Sequence, residues 1–192
     1  MLSASEIARG TQGAIRFLQR DPSAPYYFEN NFEACLRSFR VMLLLAPLYA
    51  VYLVLHYTQT NSTAEGWEIA AVEAMRYVVD WLLFPVLFHE VARRRGWLDR
   101  YPRYIGALNW INVPTVALMV VAKIVAVLVP PVGQALEFAL QVVVFYWFLT
   151  ATRMVLGIGW PFAILLLIVN WVPSIFLSLI VDRVLGVGTL PA

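Results

Sequence analysis

One lysine, two histidines and one cysteine in 192 residues leave this chain short of the groups most soluble enzymes use. The single Cys35 excludes an intramolecular disulfide and any multi-cysteine metal site; a small buried residue beside an apolar stretch is its ordinary role. Charged residues make up only 14% of the chain, against roughly a quarter in ordinary soluble domains. A net charge of +2, with no run of alternating bases and aromatics, gives no phosphate track, so nucleic acid is not an expected partner. No HExxH pair, P-loop or Gly-rich dinucleotide fingerprint is present, and His89 with Glu90 lacks the second histidine of a zinc helix. Neither an enzyme nor a resident cofactor is expected.

What is abundant is hydrocarbon, at 61% of residues. It falls into five stretches, residues 41–57, 69–91, 104–129, 133–152 and 161–181. At about 1.5 Å per residue each is long enough for about 30 Å of bilayer core, the first only just. A segment in lipid must satisfy its own backbone hydrogen bonds, so helices are expected and strands are not. The expected fold is all-α: residues 1–40 as a cytoplasmic or interfacial amphipathic segment, then residues 41–192 as a bundle of five transmembrane helices.

Arginine placement sets the orientation. Arg9, Arg16, Arg20, Arg37 and Arg40 precede the first span, and Arg93, Arg94, Arg95, Arg100 and Arg103 lie between the second and third. With Arg153 these make eleven of fourteen bases on one side, which places the N-terminus inside and the C-terminal residues 186–192 outside. Trp97, Tyr101, Tyr104, Trp147 and Trp160 fit the inner interface, and Tyr57 and Trp67 the outer one. Arginine outnumbers lysine thirteen to one, a bias typical of GC-rich bacteria, so a bacterial inner membrane is the expected setting. The first apolar run begins only near Val41, and no cleavable leader is evident before it.

Ser3 and Glu6 form a capping-box pattern, after which Ile7, Ala14, Ile15 and Leu18 share a helical face with Arg9, Arg16 and Arg20 elsewhere. That face is expected against the inner leaflet or the protein's own bundle. Further on, Pro130, Pro131 and Gly133 predict a tight hairpin between the third and fourth spans. Two short segments resemble each other: Asn109, Trp110, Asn112 and Pro114 in the third span, and Asn170, Trp171 and Pro173 in the fifth. Each proline frees a carbonyl one turn earlier, so both are expected as polar kink sites, open to interhelical hydrogen bonds or to an ion.

Ionisable residues inside predicted spans carry the most chemistry: Glu73, Arg76 and Asp80, then Lys123, then Glu137. Arg76 lies three and four residues from its two carboxylates, within reach of both. Lys123 and Glu137 stand at nearly equal distances from the proline turn and are expected to pair across it. One reading of this charge cluster is a lock on helix packing, which makes the protein a non-enzymatic accessory or scaffold subunit, in lipid, as a homo-oligomer or part of a larger membrane complex. The other is a proton or cation site centred on Asp80, in a small transporter or conducting protein. Polar residues facing dry helix contacts favour the first; a wetted path from the cluster to Asn109 and Asn112 favours the second.

Tyr146, Phe148 and Leu149, then Leu156, Gly157 and Ala163, with Tyr104 and Asn109 opening the third span, give the chain a resemblance to the bacterial Yip1-like group of five-span membrane proteins. An amphipathic region before closely spaced spans is similar too. The resemblance implies a non-enzymatic integral membrane protein. The acidic Asp-Leu-Tyr-Gly-Pro segment of that group's eukaryotic members has no counterpart here, so their partners are not carried over.

Overall fold

Ser3 and Glu6 start the first helix by satisfying each other: the Glu6 N–H donates to Ser3 Oγ and the Ser3 N–H to Glu6 Oε2 at 2.8 Å. The same bond from Ser3 holds the Glu6 carboxyl below its ordinary range. A computed structural model describes residues 2–188, so the outward C-terminus read from residues 186–192 falls largely outside the described residues. The helices are α1 (Ala4–Leu18), α2 (Phe32–Ser38), α3 (Arg40–Tyr57), α4 (Gly66–Arg95), α5 (Tyr101–Leu128), α6 (Pro130–Leu156) and α7 (Trp160–Val184), with a 3-10 turn at Ala24–Tyr27. No strand occurs among the described residues.

Four helices are long and apolar enough to cross a membrane: α2 joined to α3 as Phe32–Tyr57, then Tyr101–Leu128, Pro130–Leu156 and Trp160–Val184. This all-helical build is compatible with a helical membrane protein. The fifth expected span, within α4, is not among the four, because Glu68, Glu73, Arg76 and Asp80 interrupt its apolar run. Its 30 residues nonetheless give it a length of about 45 Å, that of a bilayer with its headgroups.

α5 is the centre of the bundle and packs on α1, α2, α3 and α6; α4 lies chiefly against α7, which also meets α6. The arginine-rich half holds an aromatic core in which Tyr104 meets Phe84, Phe88 and Phe148 edge to face, with Phe88 and Tyr104 ring centres 4.7 Å apart, while Phe84 and Phe88 stack. Tyr104 and Trp147, assigned from sequence to the interface, are instead buried. Each has a protein partner for its polar atom: Tyr104 Oη pairs with Thr152 Oγ1 at 2.8 Å, and the Trp147 indole N–H donates to the Ala14 carbonyl at 2.7 Å.

α1 is what covers Trp147. Its packed face is Gly10, Gly13, Ala14 and Phe17, while Ile15, expected in that face, is 41% exposed. The stripe is shifted because glycine, which a hydrophobicity pattern passes over, lets the helix backbone approach the Trp110 indole at Gly10 and the Tyr27 and Phe28 side chains at Gly13. The described residues before α3 therefore pack chiefly on α5 and α6. The Arg20 guanidinium, hydrogen-bonded to Tyr146, ties the end of this segment to α6.

Candidate functional site

Pairing in α4 follows helical spacing. Arg76 Nη1 lies 3.2 Å from Glu73 Oε1, and Arg76 Nε lies 3.6 Å from Asp80 Oδ2. Glu73 is fully buried and saturated, since the Tyr49 and Tyr57 hydroxyls also donate to it at 3.0 and 2.9 Å. Asp80 is held more loosely: Ser174 Oγ of α7 donates to Oδ1 at 3.0 Å, and the group is only half-buried. Across the hairpin, Lys123 Nζ reaches Glu137 Oε1 at 3.0 Å, with the Tyr52 ring 5.8 Å from the ammonium. The five ionisable residues therefore form a triad on α4 and a pair between α5 and α6.

Sequence reasoning missed Tyr49, Tyr57 and Ser174 as partners of the carboxylates. Three tyrosines in one otherwise aliphatic helix, α3, were the available sign for the first two. Nothing in the sequence placed α7 beside α4. His89 meets Tyr101 edge-on, away from the triad, whereas His56 stacks on Tyr52 and meets the ring of Tyr57, whose hydroxyl donates to Glu73.

Both prolines of the two similar segments sit inside unbroken helices, Pro114 in α5 and Pro173 in α7. Asn109 donates to Ser38 Oγ at 2.8 Å, an interhelical bond of the kind expected. Asn112 and Asn170 face space. One cavity of about 160 Å3 lies among α4, α5, α6 and α7 and presents Asp80, Asn109, Asn112, Thr115, Gln141 and Asn170. A second of about 330 Å3, between α3, α4, α5 and α7, presents Tyr49, Arg76, Asp80, Asn112 and Asn170. The two share Asp80, Trp81, Asn112 and Asn170, so one carboxylate and two amides stand on both. A single water needs only about 10–15 Å3 and two to four polar partners, so both cavities are roomy and polar enough to be wet. Thr115 Oγ1, beside the first cavity, is buried without a protein partner.

No group of three or more metal-ligating side chains occurs among the described residues. Fold and site define a class: a helical bundle with four helices able to cross a membrane and a polar, cavity-lined interior around one carboxylate. No protein family, curated protein or solved structure matches the chain.

Proposed function

We propose that this is a non-enzymatic membrane protein that passes protons or a small cation through its interior, with Asp80 as the group that binds and releases them. The observation that supports it is the shared wall of the two cavities at Asp80, Asn112 and Asn170. Polar groups in a dry helix contact would face one another, whereas these face open volume. Of the three intramembrane acids, Glu73 is saturated by two tyrosines and Arg76, and Glu137 is neutralised by Lys123. Asp80 keeps one oxygen on a neutral hydroxyl and the other at the edge of Arg76's reach, leaving it free to take a proton or ligate a cation. The carbonyls of Trp110 and Val169, one turn before Pro114 and Pro173, are without a helical donor.

In this reading α4 is the fifth span, Arg93 to Arg95 and the N-terminus face the cytoplasm of a bacterium, and the resemblance to Yip1-like proteins extends to five crossings. An accessory or scaffold role, alone or in a larger complex, is the second reading. It is favoured by the completeness of the Glu73 pairing, which fixes helix packing with no solute involved.

Wetness separates the two. With Cys35 replaced by alanine, Asn112→Cys is expected to react with a charged, water-soluble thiol reagent about tenfold faster than Leu118→Cys, because the reactive thiolate forms only where water reaches. Leu118 is 43% exposed on the outer surface of α5 and serves as the lipid-facing reference. Equal rates at the two positions would leave the cavities dry and favour the scaffold.

A further inference from the structure

Where α4 ends and α7 begins, Val91, Leu165 and Leu166 form the floor of a cleft of about 210 Å3 whose rim carries Arg94, Arg95 and Trp97. We propose that this cleft binds an anionic phospholipid, its phosphate held by Arg94 and Arg95 and its acyl chains laid along α7. The site lies apart from the Asp80 cavities and does not depend on the permeation reading.

Charge at the rim is unbalanced. Glu90 accepts from Arg93 Nη2 at 2.9 Å and from Arg94 Nε at 2.6 Å, so one carboxylate serves two guanidinium groups. Arg95 has no carboxylate partner among the described residues; its guanidinium lies 4.9 Å from the centre of the Phe162 ring, which also meets Trp97 edge-on. Arg94 keeps its terminal nitrogens outward, with 76% of its side chain exposed. Two exposed arginines on the rim of one cleft offer a phosphate more donors than any single cation does.

α7 adds to the field. It begins at Trp160 behind Gly159, which offers no side-chain cap, and its first turn contains no acid, so its unpaired N–H groups and the positive end of its dipole lie beside the cleft at Phe162. The remaining wall argues for a lipid over a free phosphate ion. Leu165 is 49% exposed and continues along α7 into exposed Ile164 and Ile168, an apolar track leading from the arginines into the depth of a helix able to cross the membrane. An ion needs no such track; an acyl chain does. Basic clefts of this kind at the ends of membrane helices are where anionic headgroups bind.

The test uses the full chain, purified in mild detergent and titrated with phosphatidylglycerol or phosphatidylcholine under native mass spectrometry. The wild type is expected to retain phosphatidylglycerol over phosphatidylcholine, and Arg94→Gln with Arg95→Gln to weaken that binding about tenfold or more. Arg9→Gln with Arg37→Gln, which removes the same charge elsewhere, is expected to leave it unchanged. The proposal is overturned if the Arg94 and Arg95 double variant binds as the wild type does, if the control loses as much, or if millimolar inorganic phosphate displaces the lipid. All four positions lie on the protein surface or its edge, so the variants keep the fold, and an unchanged helical signal on heating checks this.

Discussion

Lys123→Glu lowers stability in detergent by about 3 kcal/mol, and adding Glu137→Lys recovers most of it. Lys123 is buried, 3.0 Å from the Glu137 carboxylate, in the half of the bundle away from the arginine-rich end. Reversing its charge sets two carboxylates at contact distance in poorly hydrated surroundings, and breaking a buried pair from one side costs about 3–5 kcal/mol. The lower end applies because the Glu137 side chain is 36% exposed and can turn outward. Restoring opposite charges in reversed order removes the repulsion, and a reversed pair still sits beside the Tyr52 ring. Thermal unfolding of the two single variants and the double gives the coupling directly. Additive losses would show that the pair contributes nothing to holding α5 against α6.

Gly133→Val is expected to be worse than either charge reversal, and nothing paired with it will rescue it. α5 and α6 are joined by the single residue Val129, with Pro130 and Pro131 opening α6, so the two helices are closest at the hairpin. There a Cβ on Gly133 would run into the backbone of Ala126, which cannot move aside as a side-chain tip can. Overpacking usually costs about 1–3 kcal/mol, and more where backbone must shift. Separation of α5 from α6 would also loosen Lys123 from Glu137 and the Ala126 carbonyl from Gln59, which donates to it at 2.9 Å. Loss of folded protein on size-exclusion chromatography is the expected result; a well-folded variant with unaltered melting would mean that the helices do not meet here as described.

Much of this was legible because it is local. Helix spacing alone gave the contacts of Arg76 with Glu73 and Asp80, the capping box gave the start of α1, and equal distances from Pro130 and Pro131 gave the pairing of Lys123 with Glu137. Helix ends were read short, residues 69–91 against Gly66–Arg95 for α4, because the polar residues that close an apolar run can continue the helix beyond it. What could not be read was which helix stands beside which. α7 is apolar over most of its surface, so its hydrophobicity gives little direction, and only the fold brings Ser174 to Asp80. The packed face of α1 was hidden for a related reason: its close approach is made by glycines, whose contribution is the absence of a side chain.

The cavities belong to the same class of hidden information. Asn112 and Asn170 were marked as polar kink sites because prolines follow them, and what the sequence did not show is that both face the space beside Asp80. Two halves of the bundle then differ in kind. The arginine-rich half is filled with aromatic rings and sealed by α1, while beyond Asp80 the contacts are made by tyrosine hydroxyls and ion pairs around open volume. On the proposed reading, the open volume beside Asp80 lets that carboxylate exchange a bound proton or cation without unfolding its surroundings.

Flux through sealed vesicles is the most direct measurement. The full chain is reconstituted with a pH-sensitive dye inside, and a proton gradient or a potassium gradient is imposed. The account predicts that the wild type dissipates one of the two faster than protein-free vesicles, and that Asp80→Asn, which keeps the Ser174 hydrogen bond but not the charge, returns the rate to the protein-free level while remaining folded. A wild-type rate no faster than that of empty vesicles, or an Asp80→Asn rate equal to the wild type, would contradict it.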